Sequence, residues 1–258
     1  MANGAFYEDL NSMKELVLQD WSTPEGRTEF EKLVREADGL IEAFRPATKR
    51  KWGLDSATLH AINPKLCIAS LRGYPEGHPW AERAGHNLNF EAVTGVLSLF
   101  SEMPPLPLAD LLGAYDAALR LAAALGTGQG AVISVSLAES LERVQSGLAL
   151  EFKKTSTAPT PGTHLFSGAY PCYRLYRDRE GRRIAVGAIE HKYWLQVLEI
   201  LQIKGLEKQA YARGAEADAA AAKIQKALGS KTWSEWAPVF EAADCCVDGE
   251  RTYPEVFG

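Results

Sequence analysis

Leu40-Ile41-Glu42-Ala43-Phe44 and Leu66-Cys67-Ile68-Ala69-Ser70-Leu71 are the two short apolar runs on which the fold turns. Asp38-Gly39 precedes the first and Asn63-Pro64 the second. Short apolar runs bounded by turn formers read as buried strands rather than helices. A helical stretch over 48–61 lies between them, and strand, helix, strand with short joints is the pattern of a parallel sheet. Upstream, Thr23-Pro24-Glu25 supplies a cap, a first-turn proline and an early acid. Phe30, Leu33, Val34 and Ala37 then recur at helical spacing, which predicts a helix over 23–38. Downstream, 109–125 reads as a helix rich in small residues, Ala131 to Leu137 as a third strand, and about 138–150 as a further helix. Residues 1–150 are therefore expected to form a parallel-sheet α/β domain.

The pattern changes after Leu150. Lys153 to Gly168 is rich in Thr, Ser, Pro and Gly and reads as a linker or an ordered loop. Cys172–Tyr176 and Arg183–Gly187 then flank Asp178-Arg179-Glu180-Gly181, two strands around a turn in the manner of an antiparallel hairpin. Helices are expected near 191–203, 207–228 and 232–242. Residues 151–258 read as a smaller α+β domain.

Composition narrows the function classes. The 258-residue chain is 46% hydrophobic and 24% charged, the balance of an ordinary globular protein. A formal net charge of −5 argues against a nucleic-acid surface. Charges interrupt every candidate bilayer span, and the N-terminus lacks the basic start and apolar centre of a signal peptide, so no membrane partner and a cytoplasmic location are expected. Cys67 and Cys172 stand alone and Cys245-Cys246 are adjacent, a spacing that fits buried small hydrophobes and no common metal arrangement. No metal is expected.

Three residues stand where chemistry is expected. His86, in Arg83-Ala84-Gly85-His86-Asn87-Leu88-Asn89-Phe90, follows a loop just beyond a strand of the parallel sheet. Ligands of open α/β sheets bind outside the carboxyl ends of strands, and an imidazole there suits proton transfer near neutral pH. A histidine capping the next helix is the alternative. Asp110, in Pro107-Leu108-Ala109-Asp110, opens the small-residue helix. It is either an N-cap or a carboxylate beside backbone N–H groups able to hold an oxyanion. Glu190, between an apolar strand and a helix, poses the same choice, and the neighbouring His191 is expected to face solvent.

Taken in order and spacing, these segments resemble family III CoA-transferases, the CaiB/BaiF family, and are nearest in motif to its α-methylacyl-CoA racemases. Gly85-His86-Asn87-Leu88-Asn89-Phe90 is similar to the racemase signature of Gly-His-Asp, an apolar residue, Asn and an aromatic. Asp110 within Pro107-Leu108-Ala109-Asp110-Leu111 matches the catalytic aspartate, and Pro171-Cys172-Tyr173 with Val186 through Glu190 matches the small-domain hairpin. Ala37 through Pro46 and Trp233 through Val247 agree as well, so the likeness covers nearly the whole chain.

The resemblance implies a Rossmann-like large domain and an acyl-CoA substrate. In the racemases, His86 and Asp110 would remove and return the α-proton, with Glu190 orienting His86 and backbone N–H groups holding the enolate oxygen. In the transferases, Asp110 would attack the thioester and form a mixed anhydride. CoA contacts would fall to Leu10, Asn11, Lys14, Arg45, Gly85, Asn87, Asn89 and Phe90, with Lys49-Arg50-Lys51 adding positive charge. A solvated helix face is the plainer meaning of that run. Ser12 and Glu15 stand where the family carries cations. The resemblance further implies that a first strand–helix unit and a C-terminal return segment are lacking, leaving a sheet edge exposed or covered by a partner. Homodimers, or a heteromer with a paralogue, are expected. The alternative to an enzyme is a non-catalytic subunit or a degenerate acyl-CoA-binding homologue.

Overall fold

A computed structural model describes residues 4–258. By its contacts the chain divides into two compact units, one of residues 1–96 and 104–146, the other of 97–103 and 147–258.

The first unit contains α1 (Gly4–Asn11), α2 (Pro24–Glu36), β1 (Gly39–Glu42), α3 (Pro46–Trp52), α4 (Ser56–Ile62), β2 (Cys67–Arg72), α5 (Asn87–Val93), α6 (Leu108–Leu125), β3 (Ala131–Ser136) and α7 (Leu137–Val144). The three strands form one sheet in the order β1-β2-β3. Both pairings are parallel, with Leu40 opposite Ile68 and Ile68 opposite Val132. Central β2 is buried on both faces, and its alternation splits the core. Leu66 and Ile68 pack with Val34 and Leu59 of α2 and α4. Cys67 and Ala69 pack with Leu121 of α6 on the opposite face. Helices on both faces of a parallel sheet are the layered solution for such a strand.

Several boundaries differ from the sequence expectation, each for a local reason. The helix expected over 48–61 is two helices. Gly53 adopts a left-handed φ of 67° that ends α3, and Asp55 caps α4 by accepting from the Thr58 N–H. Helix α2 stops at Glu36 because Asn63 Nδ2 donates to the carbonyls of Val34 and Ala37, both at 2.9 Å, and closes its last turn. β1 ends at Glu42, and at an edge of the sheet its Ile41 remains exposed rather than buried. The stretch near 138–150 divides at Gln145 into α7 and α8 (Ser146–Thr155).

In the second unit, α8 runs into the Thr- and Pro-rich loop. β4 (Tyr173–Arg177) and β5 (Arg183–Gly187) follow, then α9 (His191–Ile200), α10 (Gly214–Leu228), α11 (Trp233–Ala243), β6 (Val247–Gly249) and α12 (Tyr253–Phe257). The antiparallel sheet has the order β4-β5-β6. Asp178 organises the hairpin turn: its buried carboxylate accepts from the N–H groups of Glu180 and Arg182, both at 2.8 Å, and of Trp233 at 2.7 Å. Burial works against the ionised form, but these backbone donors outweigh it and hold the carboxyl below its usual value. The helix expected from 207 begins only at Gly214, and 207–212 is turn. Cys67, Cys172 and Cys245 are buried free thiols as expected, whereas Cys246 is exposed. Burial pushes the Cys172 thiol up to about 11.

Candidate functional site

The carboxyl ends of β1 and β2 and the first turns of α5 and α6 enclose a cleft of about 400 Å³. Its lining includes Phe44 and Arg45 after β1, Arg72 at the end of β2, Arg83 and Gly85 in the following loop, His86, and Asp110. Parallel strands place their carboxyl ends on one side, so residues far apart in sequence meet there.

His86 takes the N-cap position of α5 with an extended backbone, yet its ring makes no capping hydrogen bond. Asn89 makes the cap instead, its Oδ1 accepting from the His86 N–H at 3.0 Å. The imidazole is left exposed at the cleft. Tight packing fixes the loop before it. A Cβ at Gly85 would stand 2.8 Å from the Phe90 ring, and one at Gly73 would stand 2.4 Å from it. Phe90 is buried edge-on against Tyr74 and forms a wall of the cleft.

Asp110 is the third residue of α6 and no cap. Burial raises the proton affinity of its carboxyl, the His86 charge lowers it, and Glu91 raises it; the net shift is upward. The oxyanion role considered for the amides at this helix start is corrected by their partners. Asn87 Oδ1 already accepts from the N–H groups of Ala109 at 2.9 Å and Asp110 at 3.3 Å. Asn87 lines the cleft, but its carbonyl oxygen faces the helix rather than open space.

The other expected positions divide. Arg45 and Gly85 line the same cleft. Asn89 is engaged with His86, and Leu10, Asn11 and Lys14 lie outside the lining, where Lys14 Nζ donates to Asn11 Oδ1 at 3.1 Å. Glu190 belongs to the second unit, exposed at the N-cap of α9 without a capping bond, and His191 is exposed beside it. Lys49 departs from the solvated-face reading. Its ammonium is 2.7 Å from Glu42 Oε1 and 2.9 Å from Ser70 Oγ, in a buried cluster next to the cleft. Arg50 and Lys51 are exposed. Arg72 and Arg83 went unread in the sequence, although the rule that pointed to His86, position after a parallel strand, points to them equally. Arg83 lies over the Trp80 ring, 5.0 Å from its centroid. Among the described residues no cluster of His, Cys, Asp and Glu is arranged to hold a metal.

The comparisons with known proteins agree with one another. The sequence profile described as CoA-transferase family III matches residues 1–258. The chain is 28% identical to a CaiB/BaiF CoA-transferase family protein of Caenorhabditis elegans over 95% of its own length and 74% of the relative's. It is 30% identical to the human α-methylacyl-CoA racemase over 94% and 66%. Against the succinyl-CoA–D-citramalate CoA-transferase of Chloroflexus aurantiacus it is 29% identical over 68% and 46%. Among solved structures, a CaiB/BaiF family protein from Brucella suis superimposes with a TM-score of 0.74 at 22% identity, covering 93% of this chain and 67% of that one. Rv3272 from Mycobacterium tuberculosis gives a TM-score of 0.76 at 24% identity, covering 94% and 71%. These likenesses establish the fold.

Proposed function

The chain belongs to CoA-transferase family III, and from that premise we propose that its cleft binds an acyl-CoA thioester and moves the proton α to the carbonyl. The observation that carries this reading is the meeting of His86 and Asp110 in one cleft rimmed by arginines. A neutral imidazole takes the α-proton, and the electron pair it leaves spreads onto the thioester oxygen as an enolate. A protonated carboxyl on the other side returns a proton to the carbon. The raised proton affinity of Asp110 suits that second task, since the acid must hold its proton until carbon takes it. Arg45, Arg72 and Arg83 supply the positive charge that an anionic substrate needs.

CoA transfer is the second reading, favoured by the relatives named as CoA-transferases. There the Asp110 carboxylate attacks the thioester carbonyl, the thiolate of CoA leaves, and a mixed anhydride forms. We also propose a cytoplasmic protein, for which four free thiols are suited. It works as a homodimer or with a paralogue; exposed Leu111, Tyr115 and Leu119 on α6 offer an apolar surface for a partner. Among the described residues no helix is long and apolar enough to cross a membrane.

The test is incubation with 2-methylacyl-CoA in deuterated water. Wash-in of deuterium at the α-carbon is expected, falling by about 100-fold or more in His86→Ala and Asp110→Asn. Transfer of CoA to a free acid with a trappable anhydride at Asp110, and no wash-in, would replace the first reading by the second. An absence of both reactions would leave a binding or subunit role.

A further inference from the structure

Helix α6 starts in an unusual way. Its N-cap residue is Pro107, which has no side chain able to accept a hydrogen bond, yet the first backbone N–H groups of any helix need acceptors. All three come from α5. Beside the Asn87 bonds to Ala109 and Asp110, Glu91 Oε1 accepts from the Leu108 N–H at 3.0 Å. The two capping side chains are joined, Asn87 Nδ2 donating to the same Glu91 oxygen at 2.7 Å. Glu91 is 1% exposed, a buried carboxylate that touches no substrate in the chemistry above and adds to the proton affinity of Asp110.

Asn87 directly follows His86, and Asp110 is the last of the three capped residues. The clamp therefore fastens the residue next to the base onto the turn that carries the acid. We propose that Asn87 and Glu91 are a positioning pair which sets the placement of Asp110 against His86, and that the pair needs an amide at residue 87. This rests on the reading of His86 and Asp110 as the working pair. The need for an amide follows from donor counting. A carboxylate at 87 could still accept from α6, but it would turn an oxygen instead of a donor towards Glu91 in a dry site. Only a proton shared between the two acids, or separation of α5 from α6, relieves that contact.

The experiment compares Asn87→Asp, the double variant Asn87→Asp/Glu91→Gln, and Asn87→Ala in the full chain. In the double variant the new amide at position 91 donates to the new carboxylate at position 87, and its carbonyl accepts from the Leu108 N–H. The bonds thus return with donor and acceptor exchanged. Asn87→Asp is expected to lower kcat for α-hydrogen exchange about tenfold or more with KM within about twofold, the loss carried by one charge-assisted contact. The double variant is expected to recover most of the rate. Full activity in Asn87→Asp, or no rescue in the double variant, overturns the proposal.

A second measurement needs no substrate. Amide hydrogen exchange at Ala109 and Asp110 should quicken about tenfold or more in Asn87→Ala, and unchanged protection also overturns the proposal. Should the unaltered protein exchange no α-hydrogen, the catalytic reading fails, while the amide protection still decides whether the clamp exists.

Discussion

The two units differ in what they bury. The second gathers one continuous apolar core, in which Trp194, Ile184, Ile224 and Phe240 are almost fully enclosed. Three of its most buried polar-tipped side chains are answered by backbone carbonyls: Trp194 Nε1 donates to that of Leu206, Trp236 Nε1 to that of Leu228, and Tyr176 Oη to that of Pro171. In the first unit the sheet separates apolar residues onto its two faces, Leu66 and Ile68 on one side and Cys67 and Ala69 on the other, and charged or polar groups are buried at the carboxyl ends of its strands and under α6, namely Glu42, Ser70 and Glu91. Those are the groups around the cleft. Polar side chains held inside by mutual bonds specify geometry but add little net stability, whereas apolar filling does the reverse. The unit that carries the cleft is therefore the one expected to open first.

The sharpest way to break that contrast is to damage the second core. Trp194→Ala removes a fully buried indole and its hydrogen bond, and is expected to destabilise the second unit by about 4 kcal/mol. Hydrogen exchange would read it as lost protection in β4, β5 and α9. A loss below about 1 kcal/mol would mean that this core is no better filled than the first.

Lys49→Met tests the opposite mode. It leaves Glu42, 6% exposed, without its cation, and is expected to cost the first unit about 3 kcal/mol. Combining it with Glu42→Leu should recover most of that, because removing both members of a buried ion pair spares the uncompensated charge. If the double variant were as unstable as the single one, the pair would be contributing net stability and the distinction between the units would weaken.

What could be read in the sequence follows the range of the interactions involved. β2 is legible because burial on both faces leaves Leu66 to Ala69 without polar interruption. The break at Gly53 was not, since a glycine inside a helical stretch is tolerated unless the chain must turn left-handed there. Lys49 looked like one charge among three, and only the sheet register brings it to Ser70, 21 residues away. The partners of α6 were hidden for the same reason, Asn87 lying 22 residues before Ala109. His86 is legible because a position after a parallel strand is a local feature, and Asp110 because an acid at the start of a small-residue helix is one too; what fastens them together is not local.

A smaller effect concerns the hairpin of the second unit. Asp178→Ala deletes three backbone acceptor bonds at one carboxylate and is expected to cost about 2 kcal/mol. Because the folded-state carboxyl titrates below the ordinary 3.8, its contribution is complete above that value and disappears as pH falls through the lower folded one. The difference between Asp178→Ala and the unaltered chain should thus narrow on acidification below about pH 4. A difference that stays constant to about pH 2 would mean that the carboxylate is not what the turn depends on.

The smallest effect is expected on the outer face of α6. Leu119 is 72% exposed, and Leu111 and Tyr115 precede it at four-residue spacing on the same face. In the dilute monomer, Leu119→Gln has almost no burial to lose and should change the stability of the first unit by less than about 0.5 kcal/mol. The same substitution measured at rising protein concentration separates two meanings of that face. If unfolding of the unaltered chain becomes harder with concentration and that of Leu119→Gln does not, the stripe is covered by a second copy and the first unit completes its core only in the assembly. If neither depends on concentration, the stripe stays open to solvent, and the contrast with the second unit is a property of the single chain.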